Sequence, residues 1–199
     1  MQIFEYIEQG TEEWFEARLG IPTASNFSMV MAKGEGKTRS KYMRKLAAEI
    51  ITGLPSESFS NVHTERGHLL EPVARETYSF ITGNVPKQVG FIRNGEKGAS
   101  PDSLIGENGG LEIKTALADI QIERLEANKL PPEYKAQVQG CLWISGREWW
   151  DFVSYSPKLP VLIVRVERDE EYIHKMAEEV DRFNEEKNAL VERIRNYGV

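Results

Sequence analysis

The feature that most constrains this chain is a change of hydrophobic period near residue 85. Up to Gly83 the apolar residues recur at the spacing of helices with one buried face. Thr11 is placed to cap a short helix carrying Trp14 and Ala17, and Ser25 to cap another through Phe27, Val30 and Met31. Tyr42, Leu46, Ile50 and Ile51 predict a helix over 40–51, stopped by Gly53 and Pro55. A further helix is predicted over 64–81, with Leu69, Leu70, Val73, Ala74, Tyr78 and Ile81 inward. Pro72 inside it removes one helix hydrogen bond and predicts a kink or a break.

Beyond Gly83 the period shortens. Val85 to Arg93, Ala99 to Ile105 and Leu111 to Thr115 read as strands, joined by NGEKG and by the hairpin signal ENGG. Glu133 to Ile144 returns to helix after Pro131 and Pro132. Two more strands follow, Trp149 to Tyr155 and Val161 to Val166; the second is almost wholly apolar, which predicts a central place in the sheet. Ile173, Met176, Ala177, Val180, Phe183, Leu190, Val191 and Ile194 draw one stripe on a long C-terminal helix. That stripe packs on the domain's own sheet or on another subunit. With no repeat, low-complexity tract or long linker, the order predicts one α/β domain over 1–199. It comprises a helical part at 1–83, a mixed sheet core with flanking helices at 85–168 and a terminal helix at 169–197.

Composition narrows the function. The 199 residues are 40% hydrophobic and 28% charged, which suits a globular core and excludes a disordered chain. Twenty-five basic against 31 acidic side chains leave a net charge of -6, so bulk charge cannot hold a polyanion or an anionic membrane. A local basic groove stays open. Cys141 is the one cysteine, which excludes an intrachain disulfide and a zinc site or iron-sulfur cluster held by four cysteines of this chain. His63, His68 and His174 are scattered, so any metal falls to carboxylates, the ligands of Mg2+, Mn2+ or Ca2+. There is no basic and apolar leader and no apolar stretch of membrane-spanning length; the expectation is a reduced, cytosolic protein.

One constellation carries chemistry: Ser100-Pro101-Asp102, then Glu112-Ile113-Lys114 across the hairpin. On a strand Glu112 and Lys114 share one face, while Leu111 and Ile113 share the other. The turn at Glu107 to Gly110 folds this strand against the one holding Asp102, so two carboxylates and an ammonium meet. Two oxygen donors suit Mg2+, with substrate phosphate oxygens and waters in its remaining positions. A lysine beside them orients or deprotonates a water and neutralises charge on phosphate, as phosphodiester hydrolysis requires. Taken alone, the same string also describes an exposed hairpin with ordinary surface charges.

It is accompanied by WFEARLGIPTAS, GHLLEPVARETY, SPDSL, GLEIK, EYKAQVQGCLW and VERDEEY, in that order from about Glu12 to Glu171. With these motifs the sequence resembles the phage lambda exonuclease and YqaJ-like viral recombinase nucleases of the PD-(D/E)XK superfamily. The resemblance implies that Asp102 and Glu112 are metal ligands together with the backbone carbonyl of Ile113, and that Lys114 is the catalytic lysine. It implies that Glu71 approaches a second metal position and that Gln137 faces the active site from the later helix. Arg18 and Ser25 match the residues that receive the 5'-phosphate of the degraded strand, and Tyr134 borders the same pocket.

The chemistry agrees with these roles. A guanidinium fork pairs with phosphate, and Ser25 with the amides after it offers donors at a helix start; Arg18 could equally partner Glu13 or Glu16 on its own face. Gln137 and Gln139 lie about 200° apart around a helix, so only one faces the site, and Gln137 is chosen. The segment KGEGKTRSKYMRK at 33–45 has six basic side chains and one acid, a net of +5 that leaves -11 elsewhere. Lys33, Lys37, Arg39 and Lys41 in it are candidates for the DNA backbone, against the alternative of a solvated loop. Trp143, Trp149 and Trp150 read as core, and Trp14, beside Arg18, as a nucleotide contact.

The expected function is a Mg2+-dependent 5'-to-3' exonuclease on double-stranded DNA ends that releases 5'-mononucleotides and leaves a 3' overhang, with Mn2+ as a substitute and two metal positions. The resemblance further implies a homotrimer acting with a single-strand annealing recombinase, as a phage or prophage protein in the cytoplasm of a bacterial host. Two rivals use the same residues differently: a PD-(D/E)XK endonuclease or structure-specific repair nuclease, and a noncatalytic DNA-end-binding recombination accessory protein.

Overall fold

The residues that alternate after Gly83 are divided between two sheets in the computed structural model, which describes residues 1–32, 37–56 and 62–198. In chain order the strands are β1 (Gln2–Phe4), β2 (Pro86–Lys87), β3 (Phe91–Arg93), β4 (Gly98–Ala99), β5 (Ser103–Ile105), β6 (Gly109–Thr115), β7 (Trp149–Tyr155) and β8 (Leu162–Glu167). The helices are α1 (Glu12–Arg18), α2 (Phe27–Val30), α3 (Lys37–Thr52), α4 (Val62–Thr82), α5 (Ala118–Ala127), α6 (Lys135–Ser145) and α7 (Glu170–Arg195). The larger sheet has the order β2-β5-β6-β7-β8; β6 and β7 run parallel and the other pairs antiparallel. The smaller, antiparallel sheet has the order β1-β3-β4. The expected mixed sheet with helices on both faces is present.

Two predicted strands are each divided between the sheets. Val85–Arg93 becomes β2 and β3, and Ala99–Ile105 becomes β4 and β5 around Ser100-Pro101-Asp102. The first break falls at Gly90, which accompanies Ile7 so closely that a Cβ there would lie 2.1 Å from the Ile7 carbonyl oxygen. Gly90 N–H bonds the Phe4 carbonyl at 3.0 Å, tying the break to the N-terminal strand. That strand, β1, lies in the part read as helical, because three residues are too few to show a period.

The strand over 162–167 is also placed differently from its prediction: β8 is an edge strand. Its apolar character has another source. Val166 packs against one core and Ile163 against the other, so both faces are covered although one edge is not. An apolar run reports coverage of faces; the edge is a backbone matter.

The cores sort the faces of β6. Leu111 and Ile113 join Ala74 and Tyr78 of α4, Ile105 and Val153 in one cluster. By the alternation of a strand, Glu112 and Lys114 point to the opposite face, which α6 covers. There Leu104 and Trp150 meet Val138 and Leu142 of α6 and Met176, Val180 and Phe183 of α7. Helix α4 is continuous through Pro72 instead of breaking. Its buried face is narrower than its apolar pattern: Ala74 and Tyr78 are buried, but Leu69, Val73 and Ile81 are exposed. Tyr78 Oη donates to buried Asp151 at 2.7 Å, and Arg165 closes on the same carboxylate at 2.8 and 2.9 Å. Burial and Asp151 push the Tyr78 phenol up to about 12. Helix α7 lies chiefly against α3, α6 and α2 and shares one core with Leu104 and Trp150 of the sheet; Ile194 is exposed, and the buried stripe includes Asn184 and Lys187.

Phe183 stacks on Tyr42 of α3 with ring centroids 5.7 Å apart, joining the two helices. Phe183→Ala should lower unfolding free energy by about 3–5 kcal/mol in urea denaturation. A loss below about 1 kcal/mol would mean that this helix pair does not hold the fold.

Candidate active site

The β5–β6 hairpin is what brings the chemistry together. Ser103 pairs with Leu111 across it, so Asp102 enters β5 beside Glu112 and Ile113. Asp102 Oδ2 accepts the Ile113 N–H at 2.5 Å, fixing the carboxylate and the Ile113 peptide side by side. Glu112, only 2% exposed, receives Lys114 Nζ and Gln137 Nε2 on the same oxygen, Oε1, each at 2.5 Å. Its other oxygen, Oε2, is buried with no hydrogen-bond partner; among the described residues only Trp150 Nε1 shares that state.

The charges are unbalanced. Burial first, and then the neighbouring Glu112, push the Asp102 carboxyl well above the usual range, with Glu71 adding to the effect. Burial works against the Lys114 ammonium, but Glu112 and Asp102 outweigh it and hold the group charged above its ordinary value. One ammonium therefore serves two carboxylates. An orphaned buried carboxylate oxygen beside a second carboxylate fits a hard divalent cation with oxygen ligands.

The other expected residues divide into those gathered here and those beside it. Gln137 faces Glu112, as expected. Gln139 points away, donating to the Glu167 carbonyl and accepting from Asp169 N–H, both at 2.9 Å. Tyr134 lies under Lys114, whose Nζ is 5.4 Å from the ring centroid, and its hydroxyl accepts from Arg124 at 2.9 Å. Glu71 is paired with Arg75 one turn along α4 rather than with the carboxylates of the hairpin. Among the described residues no three His, Cys, Asp or Glu side chains converge closely enough to hold a metal as they stand. Cys141 is buried nearby, and burial pushes its thiol up, so it is inert.

Arg18 approaches from the other side of Ser100-Pro101-Asp102. Its Nη1 donates to Ser100 Oγ at 2.8 Å, its guanidinium lies 3.8 Å from the Trp14 ring centroid, and Trp14 Nε1 donates to the same Ser100 Oγ at 3.0 Å. Arg18, Thr23 and Asn26 line a narrow pocket with Tyr42 and Lys45 of α3. Ser25 lies in a 3-10 turn, Ala24–Asn26, with Thr23 in the cap position expected for Ser25. The Ser25 and Thr23 hydroxyls are 3.2 Å apart, and Asn26 Nδ2 reaches both. Lys37 and Lys41 are exposed on α3. Arg39 forks onto Glu186 at 2.6 and 3.1 Å and donates to the Val30 carbonyl, so it joins α3 to α7. Lys33 lies outside the described residues.

Several supporting residues were not anticipated. Arg75 donates to Ser103 Oγ at 3.1 Å and to the Asp102 carbonyl at 3.4 Å, linking Glu71 to the hairpin. Its spacing of four from Glu71 was the available signal. Gly20 has φ +68°, and its peptide groups are held from both sides. Glu49 accepts its N–H at 2.9 Å, and Lys187 donates to its carbonyl at 3.0 Å. A charged residue at the position between Phe183 and Val191 of the α7 stripe was the sign of a buried role for Lys187.

The YqaJ-like viral recombinase domain model matches residues 13–148, which spans Arg18, the hairpin and Gln137. The chain belongs to the YqaJ-like viral recombinase family. A solved alkaline exonuclease (LHK-Exo) from Laribacter hongkongensis is 38% identical, with a TM-score of 0.86 over 93% of this chain and 96% of that one. A second structure of LHK-Exo, in complex with dAMP, is 39% identical over the same shares, again with a TM-score of 0.86. A phage related exonuclease from Haemophilus somnus 129PT shares the fold at 18% identity, with a TM-score of 0.66 over 87% of this chain and 96% of that one. A comparison with curated proteins finds no match. The PD-(D/E)XK fold expected from the motifs is therefore the fold of this YqaJ-like chain.

The raised Asp102 carboxyl has a consequence for metal-free protein. A carboxyl whose folded pKa lies above its unfolded value favours folding below the unfolded pKa, and that advantage is lost as pH rises through the folded pKa. In chelator, Asp102→Asn should match the wild type in the acid range and exceed it increasingly above the ordinary carboxylate range, in urea unfolding across pH. A difference independent of pH would contradict the assigned electrostatics.

Proposed function

We propose that this nuclease degrades one strand of duplex DNA from a 5'-phosphorylated end, with Mg2+ as its metal, releasing 5'-mononucleotides and leaving a 3' overhang. The observation that carries this reading is the turn Ser100-Pro101-Asp102. Arg18 binds Ser100 at one end of it and the cleavage carboxylate Asp102 stands at the other, so a terminal phosphate and a scissile phosphate are held at a fixed separation. An alkaline exonuclease at 38% identity and its complex with dAMP support the same reading.

The residues would divide the work as follows. Asp102, Glu112 and the Ile113 carbonyl would hold Mg2+, or Mn2+ in its place, and Glu71, once released from Arg75, would serve a second metal position. Mg2+ when bound polarises the phosphate and the attacking water and neutralises the departing oxygen. Gln137 occupies Glu112 Oε1 and leaves Oε2 for the cation. The Lys114 ammonium orients the attacking water and neutralises charge that builds on the phosphate. Attack runs in line with the departing 3'-oxygen. Arg18, Ser25 and Ser100 bind the 5'-phosphate, Trp14 stacks beneath Arg18, and Tyr134 borders the site next to Lys114. Lys33, Lys37 and Lys41 face DNA. A homotrimer would set three copies of the 33–45 segment around one channel, which is how a subunit of charge -6 could grip duplex. A single-strand annealing recombinase in the bacterial cytoplasm would take up the 3' overhang, and no described helix is long and apolar enough to cross a membrane.

Asp102→Ala and Lys114→Ala should each lower nucleotide release from 5'-phosphorylated linear duplex by about a hundredfold or more. Near-wild-type release by either would overturn the chemistry. Arg18→Ala should reduce the preference for a 5'-phosphate over a 5'-hydroxyl by about tenfold, the worth of a charge-assisted fork. Cutting of a closed circle would assign the site to an endonuclease instead, and metal-independent DNA binding with no product would assign it to an accessory protein.

A further inference from the structure

Lys37, Lys41 and Lys45 recur every four residues along α3 and so share one face, about 6 Å apart along the axis. All three line a cleft of about 660 Å³, together with Asn26, Met29 and Tyr42, and no described Asp or Glu lines it. The cleft continues the narrow pocket beside Arg18, because Asn26, Tyr42 and Lys45 line both. The cations of α3 are thus of two kinds. Arg39 is committed to Glu186, whereas Lys37 and Lys41 are exposed and pair with no carboxylate among the described residues.

A ligand for this face must carry several negative charges at a regular separation. It must also begin where the Arg18 pocket ends. A mononucleotide or a lone phosphate meets neither demand, since one charge is already taken in the narrow pocket. A nucleic-acid strand that continues past the position of the terminal phosphate meets both. Its successive phosphates advance by a step comparable to one helical turn, and exposed Met29 offers apolar surface to a base.

We propose that the cleft along α3 binds the backbone phosphates of a single-stranded 5' extension. A junction phosphate occupies the Arg18 pocket while the tail runs over Lys45, Lys41 and Lys37, so the first cut frees the tail as an oligonucleotide and the later cuts free 5'-mononucleotides. The inference rests on the reading of the Arg18 pocket as the 5'-phosphate site. It makes α3 a determinant of which DNA ends are accepted: any grip of the 33–45 segment on duplex is common to both ends, and a 5' tail adds contacts along the cleft.

The test compares kcat/KM on two 5'-phosphorylated duplexes in Mg2+, one blunt and one with a 5' tail of about eight nucleotides, a length within the usual single-strand site size. The quantity read is the tailed-to-blunt ratio. In the Lys37→Ala/Lys41→Ala variant this ratio should fall about tenfold, and the salt dependence on the tailed substrate should become shallower by about 1.4 units of log-log slope, as expected for two lost single-strand phosphate contacts. Lys37→Arg/Lys41→Arg should restore the ratio. An unchanged ratio, whether both rates fall together or neither does, overturns the inference and leaves the exonuclease reading standing. A wild-type protein that releases nothing from the blunt 5'-phosphorylated duplex removes that reading and this inference with it.

Discussion

Two carboxylates and one ammonium are forced together at the β5–β6 hairpin, and the surroundings are organised around that imbalance. Lys114 and Gln137 both approach the same oxygen of Glu112, which leaves the other buried and unpartnered. In the low-dielectric setting of the sheet face an unpaired charge of this kind is costly, and the raised carboxyl of Asp102 expresses the same cost. A divalent cation is the ligand proposed to supply the missing charge. The covering helix α6 contributes by turning Gln137 inward, while Gln139 on its other side fixes α6 to the start of α7.

The same turn that carries Asp102 carries Ser100, and through Ser100 the hairpin is joined to Arg18 and Trp14. The loop that follows Arg18 is fixed in turn at Gly20. There a buried glutamate and a buried lysine hold the two sides of one residue's backbone, and any side chain would run into Ile50. Lys187 reaches that loop from α7, so the long C-terminal helix supports the loop beside the Arg18 pocket from behind as well as closing the core. Exclusion from water lowers the Lys187 pKa, and the Gly20 carbonyl and Asn184 supply its hydrogen bonds.

What was legible in the sequence follows physical range. The alternation at Leu111 to Lys114 is local, and it correctly separates Leu111 and Ile113 from Glu112 and Lys114. ENGG is likewise a local signal and it forms the hairpin. Helix geometry told only that one of Gln137 and Gln139 faces the site; the resemblance pointed to Gln137, and it is Gln137 that reaches Glu112. The misread elements depended on partners far along the chain: β1 exists because Phe91–Arg93 pairs with it, β8 is apolar because two cores cover it, and α4 exposes Leu69 and Val73 because the apolar cluster on its sheet side takes in Ala74 and Tyr78 instead. Helix α5 (Ala118–Ala127) lies between the GLEIK and EYKAQVQGCLW motifs, in a stretch for which no helix was expected. Arg39 shows the limit of a charge count, since its sequence neighbours give no hint that Glu186 waits 147 residues away.

The proposed chemistry depends on a divalent cation completing the Glu112 and Asp102 pair. The most direct measurement is thermal unfolding of the wild type and Glu112→Gln while Mg2+ is titrated into chelated protein. A ligand that binds only the folded state stabilises it by about 2.7 kcal/mol at a hundred times its dissociation constant. The melting temperature of the wild type should therefore climb with Mg2+ and that of Glu112→Gln should stay level. Equal shifts in the two proteins, or none in the wild type, would contradict the account.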